Sequence, residues 1–252
     1  EALDAAIIIP NAEVWVAGGV YDELRGNDGA VQLRSGVDLY GGFAGGELFR
    51  NARNIALNET TIKGFTSNGG SPATWVVIGA NDATIDGFTI RGGRGAAGAG
   101  MVNNNASTII ANCTFKNNHA VNYGGGMYNL GGATPVISNC LFEDNSAGLG
   151  GGGMANAAST VTVLNCVFRN NESDLHGGGV FNDLNADVDL TGCRFWKNTS
   201  VNQGGGLYNA AASTVDVRDS KFIENGAGTR GGGIHNLETA EVLILNCLIV
   251  KN

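Results

Sequence analysis

The chain has 252 residues, 43% of them hydrophobic and 15% charged, with a formal net charge of −8. Apolar content this high with so little charge excludes a disordered chain, and the absence of a strict every-third Gly excludes collagen. The acidic balance and the lack of any basic stretch exclude a nucleic-acid partner, and no apolar run approaches the roughly 18 residues of a membrane helix.

Gly numbers 41 and Pro only 3, and 30 residues are Asn. Helix is hard to sustain at that content, so the chain is expected to be all-β. It opens at Glu1 without Met, and the apolar run Ala5 to Ile9 lacks the length and basic flank of a signal peptide. We read this start as a mature chain whose leader is gone, or as a boundary. Residues 1–13 are expected to cap the first open strand edge.

Residues 1–97 repeat loosely. Short apolar runs stand at Val14-Trp15-Val16, Val31-Gln32-Leu33, Val37 to Tyr40, Thr61-Ile62 and Val76-Val77-Ile78, and Thr84 to Ile90 reads as an early copy of the later repeat. This part is assigned about three irregular coils. Residues 98–252 then repeat every 26–27 residues and continue the same domain.

Gly triplets start at Gly124, Gly151, Gly177, Gly204 and Gly231, with a weaker copy at Gly98. An apolar residue follows each triplet, and Asn stands two places later: Asn103, Asn129, Asn156, Asn182, Asn209, Asn236. A second series runs Cys113, Cys140, Cys166, Cys193, Ser220, Cys247, with Phe or Ile two residues on and Asn three further. A third, of the form Val-x-Val, precedes each Cys. Each unit therefore holds three strand-sized pieces and no stretch of 3.6-residue periodicity. Three short strands per 27-residue turn define a parallel β-helix of about nine coils, stacked at about 4.8 Å with like residues in columns. The Cys, Phe, Val and Met/Leu/Ile columns face inward. The Asn columns are expected at corners, where Asn tolerates left-handed backbone. A phosphate cradle is disfavoured because the triplets lack a following Lys-Ser/Thr and helix, and no cofactor is implied.

The pattern Asn-Cys-x-Phe-x-x-Asn, then Gly-Gly-Gly-apolar-Tyr-Asn, resembles the polymorphic outer-membrane-protein type of right-handed β-helix repeat. Val14 to Tyr21 and Leu33 to Gly45 resemble the opening of large bacterial secreted proteins that carry such repeats. The resemblance covers nearly the whole chain. It implies a bacterial, exported, extracellular or cell-surface protein, and it carries no catalytic set.

Cys in register on adjacent coils have parallel Cβ vectors about 4.8 Å apart, too far for a disulfide, so free buried thiols are expected. Outward carboxylates Asp189 and Asp216 fall one coil apart, a spacing a glycosidase could use, and Asp183, Asp187 and Asp189 are close enough in sequence to raise a Ca²⁺ site. Arg218 and ordinary surface solvation explain the first pair equally well, Asp187 and Asp189 also fit the flank of a strand start, and neither a catalytic nor a metal site is assigned. His119 and His176 read as solvated loop residues. Tyr128, Phe181, Tyr208 and His235, interrupted by Ala155, form an outward aromatic stripe, read as cross-coil packing, a partner contact or a glycan platform. No outward Thr ladder of the kind an ice-binding face needs is found.

The last coil is apolar on both faces, at Leu243, Leu245, Leu248 and Val250. That rim is read either as a cut or continued end, or as a surface for head-to-tail self-association. The function expected is a non-enzymatic extracellular scaffold: an adhesin, or a filament or surface-layer component. A polysaccharide lyase or hydrolase and a glycan-binding module are the alternatives.

Overall fold

The computed structural model describes residues 12–22, 31–64, 75–210 and 212–252. The expected cap lies almost wholly outside the described residues. Within them the chain winds into a parallel β-helix whose strands pair only with the equivalent strands one coil away. One nine-stranded sheet holds the Val-x-Val pieces, from Ala12–Ala17 to Glu241–Leu245. A second, also nine-stranded, holds the pieces that follow each Cys, from Gly19–Tyr21 to Leu248–Val250. A third, of eight strands, holds the Gly-apolar-x-Asn pieces, from Val31–Gln32 to Ile234–Asn236.

The register is that of the sequence repeat. Phe115, Phe142, Phe168 and Phe195 each pair with the next Phe of the series, and their ring centroids stack 4.4–4.8 Å apart with planes within 8° of parallel. The coil spacing therefore dictates the ring spacing. Met127, Met154, Val180 and Leu207 fill one side of the same core, and Val161, Val163, Val188, Leu190, Val215 and Val217 another. The five thiols are free, and four of them are buried in this core.

A fourth sheet of six strands, not anticipated from the sequence, runs from Arg94–Ala97 to Gly226–Ala227. From Ser146–Ala147 onward its strands are two residues long, too short to display alternation. Its trace in the sequence is the small residue two places after each Asn of the second series: Ala120, Ala147, Ser173, Ser200, Ala227.

The Asn columns differ from expectation in their backbone. In the second column left-handed φ falls one residue earlier, at Asn117, Asp144, Asn170, Lys197 and Glu224; in the first it falls two residues later, at Asn105, Gly131, Ala158 and Leu184; it also stands before the Cys series at Asn112, Asn139, Asn165 and Asp219. The column Asn themselves have their side chains inside. Asn129, Asn156 and Asn182 each donate Nδ2 to the next Oδ1 at 2.8 Å. In the second column the Nδ2 of Asn145, Asn171, Asn198 and Asn225 donates both to the next Asn and to a Phe carbonyl of the preceding coil, as Asn171 does to Asn198 and Phe142, while Asn118 donates to Asn145 and to the Ile90 carbonyl. A buried amide needs such partners, and the coil repeat supplies them.

In the Gly triplets the first residue is left-handed, as at Gly151 with φ +68. The second and third sit where coils meet closely: a Cβ on Gly152 would run into the Glu172 carbonyl, and one on Gly153 would lie 2.6 Å from the Gly179 carbonyl.

Candidate functional site

The aromatic stripe lies on the outer face of the third sheet, in register through Tyr128, Ala155, Phe181, Tyr208 and His235. Its middle is not open to solvent. Phe181 is 7% and Tyr208 5% exposed, and with Ala155 and Ala210 they form a second apolar cluster outside the main core. The residue before each triplet supplies the cover. Tyr123, Gly150, His176, Gln203 and Arg230 are bridged in one column. Tyr123 leans across the gap left by Ala155 and stacks on both Tyr128 and Phe181, at 6.1 and 5.5 Å. His176 stacks on Tyr208 at 4.4 Å, and Tyr208 on His235 at 5.4 Å.

His176 is thus part of this cluster and not a solvated loop residue. Its Nδ1 is buried without a hydrogen-bond partner. Burial first, then the nearby His235, holds its pKa below the usual value, and burial with Arg230 does the same to His235. Burial pushes the Tyr128 and Tyr208 hydroxyls up. His119 is exposed and its Nδ1 lies 2.9 Å from the Ser146 hydroxyl. The position before the triplets, Tyr123, Gly150, His176, Gln203 and Arg230, varies too much in residue type to mark these two rings in the sequence.

On the first sheet Asp189 and Asp216 pair in register, as their spacing predicted. Asp216 is engaged by Arg218 at 2.6 Å. Among the described residues no group of three or more His, Cys, Asp or Glu is arranged to hold a metal ion, and Asp183, Asp187 and Asp189 do not converge as one.

The second sheet's outer face carries what the sequence reading did not foresee. Thr61, Thr89 and Thr114 stack as a three-coil Thr column, which the irregular spacing of the first coils masks in the sequence. Beside it Lys63, Arg91, Lys116, Glu143, Arg169 and Trp196 form one column. Glu143 is clamped between Lys116 at 3.2 Å and Arg169, which engages its other oxygen. A cleft of about 380 Å³ opens between this column and residues 55–60. At the last coil Leu243, Leu245 and Leu248 are 43%, 44% and 47% exposed, and Val250 is half-buried.

Stacked parallel coils with buried residue columns define a β-helical solenoid. The chain belongs to the right-handed β-helix family: residues 74–252 match the family described as right handed beta helix region. No curated protein and no solved structure matches the chain. Among the described residues no helix is long and apolar enough to cross a membrane.

Proposed function

We propose that the chain is a non-enzymatic extracellular scaffold of the polymorphic outer-membrane-protein repeat type, acting as an adhesin or as a filament or surface-layer component. β-Helices serve structural and adhesive proteins and polysaccharide-active enzymes alike, so the choice rests on the surface and not on the fold. The observation that supports a scaffold is the neutralisation of charge in pairs along the coils. Arg53 meets Asp86 at 2.7 Å, Lys116 and Arg169 meet Glu143, and Arg218 meets Asp216. The first two sets tie neighbouring segments together, the last lies within one strand, and all leave fewer free carboxylates for acid–base work.

The exposed leucines of the last coil support end-to-end contact between copies, since an apolar strand edge readily recruits another. Light scattering and negative-stain electron microscopy test this. Concentration-dependent linear particles that vanish in Leu243→Glu and Leu248→Glu are expected, and monomers at every concentration count against the filament form. The enzymatic alternative draws on Asp189 and Asp216. Release of reducing ends or unsaturated products from a polysaccharide panel, lost in Asp189→Ala and Asp216→Ala, is the result that favours it over the scaffold.

A further inference from the structure

Residues 44–58 leave the first sheet after Phe43 and return at the strand Thr60–Lys63. They are held rigidly. The Arg53 guanidinium donates to the Gly41 and Asp86 carbonyls at 3.1 and 3.2 Å and to the Asp86 carboxylate at 2.7 Å. Both side chains of that ion pair are close to nine-tenths buried. The Glu47 carboxylate accepts the backbone N–H groups of Ala44, Gly45 and Gly46 at 2.6–3.0 Å. Ile55 occupies the space left by Gly42, where a Cβ would come within 2.9 Å of it. The segment is therefore a fixed wall, and the clamped Lys116–Glu143 pair is the wall opposite.

The cleft between them measures about 380 Å³ and is lined by Ile55, Glu59, Thr89, Thr114, Lys116 and Glu143, among others. That volume lies within the roughly 300–1,000 Å³ of small-molecule sites. Thr89 and Thr114 are paired across adjacent coils, so their hydroxyls recur at about 4.8 Å. Neither hydroxyl is hydrogen-bonded to the described residues, and each can both donate and accept. Ile55 adds an apolar surface, Glu59 and Glu143 add acceptors, and Lys116 adds a donor.

We propose that this cleft binds a short neutral saccharide of one or two rings. Ring hydroxyls match a floor of hydroxyls flanked by carboxylates and an ammonium, and the ring's C–H face matches Ile55. A polyanion is repelled by the acidic chain, whose net charge is −8. A wholly apolar ligand would strand the half-buried hydroxyls and the charges beside them. The site lies on a different sheet from the aromatic stripe and does not depend on the scaffold reading.

The test uses methyl-resolved NMR on the full chain titrated with cellobiose, maltose and N,N′-diacetylchitobiose, with digalacturonate as the acidic comparator. Saturable shifts at the Thr89 and Thr114 methyls with a roughly millimolar Kd are expected for at least one neutral disaccharide. Thr89→Val with Thr114→Val should weaken it about thirtyfold, since both hydroxyl contacts are lost together. These changes remove no hydrogen bond within the described protein. Ala56→Trp, an exposed change on the loop wall, should plug the cleft and abolish the shifts with the melting temperature unchanged. Absence of saturable shifts with all three neutral sugars overturns the proposal. So does equal binding by the Val variant, or tighter binding of digalacturonate.

Discussion

Asn171 uses its whole amide. Nδ2 donates to the Phe142 carbonyl and to Asn198 Oδ1, both at 2.9 Å, while its Oδ1 accepts from Asn145 N and Nδ2 at 3.1 and 3.0 Å. Asn171→Asp keeps the shape but deletes both donors and buries a charge. A loss of on the order of 3 kcal/mol is expected at pH 7. Burial raises the new carboxyl's pKa, so lowering the pH to about 4 protonates it and restores part of the loss. Urea unfolding at the two pH values measures this, and an equal loss at both would count against a buried carboxylate. The thiols carry a second pH dependence. Burial pushes the Cys193 thiol up to about 12, and burial also raises Cys140. An unfolded thiol titrates near 8.5, so the folded state keeps its proton longer. The stability this contributes is complete below about pH 8.5 and is lost as pH climbs toward 12. Cys193→Ser is expected to flatten that alkaline decline relative to wild type. Ser220 shows that the column accepts a hydroxyl: its Oγ donates to the Arg218 carbonyl at 2.7 Å and accepts from Cys193 N at 3.0 Å. At this scale residue spacing revealed which side chains stack, because a column needs only a constant period. It did not reveal which residue of Asn117–Asn118 is left-handed, because Asn suits both roles.

The element that sets how closely coils approach is the Gly triplet. A Cβ at Gly153 would sit 2.6 Å from the Gly179 carbonyl and 3.0 Å from a Phe168 ring carbon, and neither backbone nor a stacked ring can move without shifting its neighbours. Gly36 offers the contrast, with φ +72 and no atom within 4 Å of where an added methyl would stand. Gly36→Ala is expected to lose only the left-handed strain of about 1–2 kcal/mol. Gly153→Ala should lose more than that, because overpacking alone costs typically about 1–3 kcal/mol and here it opens the Phe stack. Denaturant midpoints of the two variants decide the order, and a smaller loss at Gly153 would contradict the close packing. The three long sheets were legible because an alternating inward pair, of the Val-x-Val, Cys-x-Phe or apolar-x-Asn kind, recurs at each of them through the regular repeats. The fourth sheet was not, since its short strands bury only one small side chain per coil. The insertion at 44–58 broke the period and so could not be placed by it. The Thr floor of the cleft depends on that placement.

Over the whole molecule, each strand pairs only with the coils before and after it. Stability is then close to a sum of coil terms and nearest-neighbour interfaces, and opening proceeds from the ends. A central coil has two interfaces: Val180 N donates to the Gly206 carbonyl on one side, and the Gly179 carbonyl accepts Met154 N on the other, at 2.9 and 3.0 Å. The strands Glu241–Leu245 and Leu248–Val250 each pair with a single neighbour, and their side chains are exposed or half-buried. Hydrogen exchange is therefore expected to rise in steps from the coils holding Phe168 and Phe195 toward the last coil, with Phe222 intermediate. A single exchange rate shared by all coils would show that the stack opens as one unit and that interfaces are not local. The same experiment reads the ends. If copies meet end to end, the last coil gains a second neighbour, and protection of residues 241–250 should increase with protein concentration while that of Phe168 and Phe195 stays fixed. Leu248→Glu should abolish the concentration dependence without changing the central coils, since Leu248 lies outside the core that those coils share.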